Sequence, residues 1–97
     1  MQRQRICFVG LGMMGAPMAA NLRRAGFPVV AADLDPQRVE PFCREHDAEP
    51  LAPQTDTASL DAAITMLPDS DAVESAVFGD GGLAVRLRRG ATVIDMS

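Results

Sequence analysis

The sequence predicts an α/β fold, a doubly wound parallel sheet in which short strands alternate with helices. Three observations carry that prediction. Apolar runs of strand length recur at Ile6–Val9, Val29–Ala32, 62–67 and 91–95. Segments whose apolar residues recur at helical spacing lie between them, and the connections are short. The first run ends in Gly10, Gly12 and Gly15, a G-x-G-x-x-G pattern by which a strand passes through a tight turn straight into a helix.

A chain of 97 residues is one domain at most. It buries roughly 60–70% of the surface its unfolded chain exposes, enough for a modest core. A hydrophobic fraction of 47% with mixed charges suits a soluble globular domain, and the net charge of −4 argues against nucleic acid and anionic membranes as partners. All nine basic residues are arginine, and lysine does not occur. Cys7 and Cys43 form no C-x-x-C or Cys/His cluster, which predicts no metal site, no disulfide framework and a cytoplasmic location. Arg3 and Arg5 precede an apolar run, but the glycines, Pro17 and Arg23-Arg24 interrupt it, so it does not read as a secretory leader. No run approaches the length of a membrane span.

Taken in order, Ile6–Val9 is a continuous apolar run, as expected of a parallel strand covered on both faces, with Cys7 as a small core residue. In the helix that follows, Gly15, Met18, Leu22 and Ala25 share one face, which the spacing turns inward. Pro17 falls in its first turn, and Gly26 is placed to end it. The second strand closes on Asp33. Asp35-Pro36 then reads as an N-cap with proline at the first helical position, and Val39, Phe42 and Cys43 continue the helix that Pro41 should kink or shorten. Residues 48–52 predict a short third strand that Pro50 confines to an edge. The fourth strand, 62–67, stops at Pro68. Ser70 or Asp71 caps the next helix, Asp71 and Glu74 matching a capping box, with Val73, Ala76 and Val77 inward. Gly79-Asp80-Gly81-Gly82 is a turn, 83–89 a short helix stopped by Gly90, and 91–95 the fifth strand. The strand order implied is 3-2-1-4-5, that of a Rossmann-type sheet.

Each glycine of the motif has its own task. Gly10 permits the turn, Gly12 lets a pyrophosphate approach the backbone, and Gly15 lets the helix lie close to the strand it has left. The helix N-terminus then faces the phosphates. Asp33, 21 residues after Gly12 and at the end of the second strand, is placed to accept hydrogen bonds from the adenosine ribose. A carboxylate there repels the 2′-phosphate of NADP, and Leu34 offers that phosphate no cation, so charge favours NAD. Arg38, one turn into the next helix, is the residue through which NADP remains the alternative. His46 reads as a solvated loop residue.

The stretch Phe8-Val9-Gly10-Leu11-Gly12-Met13-Met14-Gly15-Ala16-Pro17-Met18-Ala19-Ala20-Asn21-Leu22 resembles the opening signature of the β-hydroxyacid dehydrogenases. That family includes 3-hydroxyisobutyrate dehydrogenase and, more distantly, 6-phosphogluconate dehydrogenase. Thr65-Met66-Leu67-Pro68-Asp69-Ser70 and Ile94-Asp95-Met96-Ser97 agree with it, so the resemblance runs the length of the chain. It implies an NAD(P)-dependent oxidoreductase that interconverts a β-hydroxyacid and its semialdehyde. Gly10, Leu11, Gly12, Met13, Met14 and Gly15 would hold the pyrophosphate, Asp33 and Leu34 the adenosine end, and Met66, Leu67 and Pro68 the cofactor beyond the fourth strand. Ser97 would lie near the nicotinamide and a small hydroxyacid substrate.

Many NADP-using relatives carry Asn-Arg where this chain has Asp33-Leu34, a departure that supports NAD. The resemblance also implies that the catalytic lysine, a Ser-Gly-Gly substrate segment and a helical C-terminal domain lie beyond Ser97. Residues 1–97 are then part of a Rossmann domain with no catalytic residue, expected to bind NAD(H) without turnover. Relatives assemble as homo-oligomers through the helical domain, and the apolar surface meant for it favours weak self-association here. The same glycines would serve a non-catalytic dinucleotide-binding module or an imine reductase-type oxidoreductase, and both readings stay open.

Overall fold

The computed structural model describes residues 4–68, 70–78, 86–87 and 90–96. Its five strands, β1 (Ile6–Val9), β2 (Val29–Ala32), β3 (Glu49–Pro50), β4 (Ala62–Thr65) and β5 (Thr92–Asp95), form one sheet in the order β3-β2-β1-β4-β5. Every pairing is parallel, with Ile6 opposite both Val29 and Ala62, and Val9 opposite both Ala32 and Thr65. The predicted doubly wound Rossmann topology is the observed one.

Helices cover both faces, which is why β1 is apolar throughout. Phe8 enters one core with Leu11, Ala19, Ala20, Val29, Ala31, Phe42 and Cys43, beneath α1 (Gly15–Arg24) and α2 (Val39–His46). Cys7 and Val9 enter the opposite core with Val30, Leu60, Ala63, Leu67 and Val77, the last from α3 (Ser70–Phe78). Alternate residues of one strand thus serve two cores, the period-two geometry of a pleated strand. Burial removes Cys7 from water entirely and pushes its thiol up to about 12. The Cys43 thiol is also raised by burial, with the Glu49 carboxylate adding to the effect.

The inward face of α1 differs from the expected one. Gly15 is buried as expected, together with Ala19 and Ala20, while Met18 and Leu22 only flank the core and Ala25 is exposed at the C-cap. Gly15 draws the helix so close to the sheet that only methyl groups fit beneath it. The helix ends as expected: Gly26 takes φ +98°, its N–H donates to the Arg23 carbonyl, and the Phe27 N–H reaches back to Leu22, a Schellman closure.

Asp35 accepts from the Gln37 N–H at 3.0 Å as predicted, but it caps a single 3-10 turn, Pro36–Arg38. The α-helix starts anew at Val39, which puts Pro41 in its first turn, where a missing N–H costs no helical bond. His46 is the last residue of that helix, not a loop residue, and its ring tilts against Phe42 with centroids 4.7 Å apart.

Two strands are shorter than expected. β3 is limited to Glu49–Pro50, and β4 ends at Thr65, with Met66 and Leu67 already in the following loop. Helix α3 begins at Ser70, so neither Ser70 nor Asp71 precedes it as the cap; Asp71 lies inside its first turn, and the Asp71–Glu74 box does not form. The expected turn at 79–82 lies outside the described residues, as does the expected helix at 83–89 apart from Arg86 and Leu87. β5 is exposed along its whole length. Among the described residues, no helix is long and apolar enough to cross a membrane.

Candidate dinucleotide site

The carboxyl ends of β1, β2 and β4 meet at the glycine turn, and the turn is wedged between its neighbours. Gly10 has φ +111°, and its N–H donates to the Ala32 carbonyl at 2.8 Å. A Cβ on Gly10 would collide with the Met66 carbonyl oxygen, and one on Gly15 with the carbonyl oxygen of Gly10. At Gly12, by contrast, the protein atom met is Nη1 of Arg38, at 3.2 Å. The fold itself therefore demands the first and third glycines. The second meets only the tip of a flexible side chain, beside an open space.

That space is a cleft of about 640 Å³. Gly10, Gly12, Met13, Met14 and Gly15 line it from the turn, Asp33 and Leu34 from the end of β2, and Met66, Leu67 and Pro68 from the loop after β4. The residues proposed from the sequence thus come together, with one exception. Leu11 is buried in the core beneath α1, and its N–H donates to Oδ2 of Asp33, so it offers nothing to the cleft. Ser97 lies outside the described residues.

Backbone donors are what the cleft presents. The N–H groups of Gly12, Met13 and Met14 make no hydrogen bond among the described residues, while those of Gly10 and Leu11 are both satisfied by β2 and its loop. Consecutive unmet N–H groups at the start of a helix attract an oxyanion. Two further residues belong to the cleft, one of which, Arg38, the sequence already offered as a phosphate contact. Asp35 and Arg38 line the same cleft. The Arg38 guanidinium lies 4.0 Å from Oδ2 of Asp33 and 3.9 Å from Oδ2 of Asp35, about half exposed, with no hydrogen bond among the described residues. Only Arg38 had a sequence signal, its cationic charge one turn after the acid.

Asp33 is the most enclosed charge at the site, its side chain only 7% exposed. Oδ1 accepts the Asp35 N–H at 2.8 Å, and Oδ2 accepts that of Leu11. Each oxygen keeps a lone pair for a ligand hydroxyl. Met13 and Leu34 stand at the mouth as exposed apolar groups.

A second hollow of about 660 Å³ lies between α2 and β3, beside Val39, Cys43 and Leu51. Asp33 lines it as well, so it adjoins the cleft, and its other charged residues, Glu40 and Arg44, pair with each other. Among the described residues, no His, Cys, Asp and Glu side chains are grouped to hold a metal ion. His46 lies on the surface shared by α1 and α2, beside Arg23 and Asp47, away from the cleft.

Comparison with known proteins agrees with this geometry. The sequence family described as the NAD binding domain of 6-phosphogluconate dehydrogenase matches residues 5–97. The chain is 36% identical to 3-sulfolactaldehyde reductase of Escherichia coli (strain K12) over 95% of its own length and 31% of that protein. It is 37% identical to 2-hydroxy-3-oxopropionate reductase of the same organism, over 96% of this chain and 32% of the relative. Among solved structures, a 3-hydroxyisobutyrate dehydrogenase of Mycobacterium tuberculosis with L-serine superposes with a TM-score of 0.77 at 33% identity, covering 97% of this chain and 31% of that one. The chain thus spans about a third of the length of these relatives.

Proposed function

The chain belongs to the family of the NAD binding domain of 6-phosphogluconate dehydrogenase, and from that premise we propose that it is the dinucleotide-holding part of an oxidoreductase acting on a β-hydroxyacid and its semialdehyde. The observation that carries the reading is the row of N–H groups at Gly12, Met13 and Met14, unmet among the described residues, at a glycine whose Cβ position is bordered by the tip of the flexible Arg38 side chain. That cradle fits a pyrophosphate. In the same reading Asp33 accepts from the adenosine ribose, and Leu34, Met66, Leu67 and Pro68 flank the rest of the cofactor. The nicotinamide, when bound, supplies or receives the hydride.

NAD is the favoured cofactor because the cleft holds two carboxylates, Asp33 and Asp35, against the one guanidinium of Arg38. Substrate class follows the relatives, which are named for a sulfolactaldehyde, a hydroxy-oxopropionate and a hydroxyisobutyrate. Proton transfer falls to groups outside these 97 residues, since the chain has no lysine and its single histidine lies away from the cleft. The helical domain and a substrate contact from Ser97 belong to the same proposal.

Calorimetric titration of the purified chain with NADH and NADPH tests this reading. Expected is saturable binding that favours NADH, with no hydroxyacid oxidation. A preference for NADPH would overturn the charge argument and single out Arg38. No binding of either by the folded chain would overturn the cradle.

A further inference from the structure

We propose that Asp33 is a positioning residue for the pyrophosphate turn, acting through the Leu11 N–H, in addition to any contact it makes with a ribose. The inference rests on the dinucleotide reading of the cleft and deepens it. Ribose recognition needs only an acceptor at the end of β2. The geometry does more than that.

The backbone of the turn divides at Gly12. Before it, the N–H groups of Gly10 and Leu11 point to β2 and its loop, one onto the Ala32 carbonyl and the other onto Oδ2 of Asp33. From it onward, Gly12, Met13 and Met14 line the cleft, and their N–H groups make no hydrogen bond among the described residues. The orientation of the second group depends on the anchoring of the first. Leu11 is held on both sides, with its side chain 6% exposed in the core and its N–H on the carboxylate. Asp33 is itself fixed by the Asp35 N–H, which leaves it little freedom to release Leu11. Removing the carboxylate leaves a donor at Leu11 unmet, and the turn must rotate to find water. That rotation carries Gly12 and its neighbours with it.

A double comparison separates the two roles. ADP and 2′,3′-dideoxy-ADP share the diphosphate and differ only in the ribose hydroxyls. They are titrated into the wild-type chain, Asp33→Ala and Asp33→Asn, with circular dichroism confirming that each is folded. Expected is a loss of about tenfold in dideoxy-ADP affinity for Asp33→Ala, the size of one charge-assisted hydrogen bond. Asp33→Asn, which keeps an oxygen for the Leu11 N–H, should restore most of it. Equal dideoxy-ADP affinity in wild type and Asp33→Ala would overturn the proposal, because the acid would then act through ribose alone.

Amide exchange of the ligand-free wild-type chain, followed by NMR, needs neither a variant nor a nucleotide. The Leu11 amide should exchange at least roughly tenfold more slowly than those of Gly12, Met13 and Met14. Equal rates would overturn the tether even if nucleotides bind. Failure of the wild-type chain to bind ADP, with Leu11 still protected, would instead defeat the dinucleotide reading and leave the tether standing as architecture.

Discussion

The two ends of the parallel sheet are built on opposite principles. At the amino end, polar groups find one another. The Arg5 N–H donates to Asp61 at 2.8 Å, the Asp61 N–H returns to the Arg5 carbonyl at 2.9 Å, and the Arg5 guanidinium binds the Asp56 carbonyl, Ser59 and Glu49. These contacts join the starts of β1, β3 and β4. At the carboxyl end, donors are left unmet at Gly12, Met13 and Met14, and the Arg38 guanidinium has no hydrogen-bond partner among the described residues. One end uses its hydrogen-bonding capacity on itself, while the other holds it in reserve. Function in such sheets lies at the carboxyl end because that is where unmet groups can be presented without loosening the core.

The largest effect should come from breaking the carboxyl end where the fold itself needs it. Gly10→Ala forces a Cβ onto the Met66 carbonyl at φ +111°, and urea denaturation should show a loss of about 4 kcal/mol or more. That is a large part of the stability of a small domain. Gly12→Val sharpens the contrast, because the protein atom that its Cβ meets is the tip of the flexible Arg38 side chain and the rest projects into the cleft. NADH affinity should fall by about a hundredfold, roughly 3 kcal/mol, while the denaturation midpoint barely moves. Equal damage to stability from both substitutions would erase the distinction between the two glycines.

A third test reaches the core between the two ends. Cys7 titrates near 9.0 when unfolded and at about 12 when folded. Its contribution is therefore complete below pH 9 and is lost as pH rises through that window, amounting to about 2.5 kcal/mol by pH 11. Denaturation curves across that range should show the slope, and Cys7→Ala should flatten it. Arg5→Met should have the smallest effect, about 1 kcal/mol, with NADH affinity unchanged. A change in affinity there would mean that the two ends are coupled.

Much of this was legible before the structure. Gly10, Gly15 and Asp33 stand at spacings dictated by the path from strand to helix to strand, so sequence distance alone brought them to one cleft. Strand order followed from the apolar runs and from Pro50. What escaped were features set by backbone direction. Nothing in the letters around Leu11 says that its N–H turns to Asp33, because every residue but proline carries that donor. The inward face of α1 was misjudged for a related reason. Helical spacing favoured Met18, Leu22 and Ala25, but the close approach at Gly15 rotates the smaller Ala19 and Ala20 inward. Asp71 matched a capping pattern but lies inside the helix, which begins at Ser70, since a local motif does not know where the preceding loop ends.

The margins of the sheet differ as well. At β3 the Leu51 N–H donates to Ala31 at 2.9 Å, so alternation along the strand assigns the outward donor to residue 50, which is a proline and has none. That border is sealed. β5, at the opposite border, contains no proline and exposes Val93 and Ile94. Among the described residues, a recruited strand would therefore find no outward donor at residue 50 of β3, and the border without a proline, exposed along its length, is that of β5.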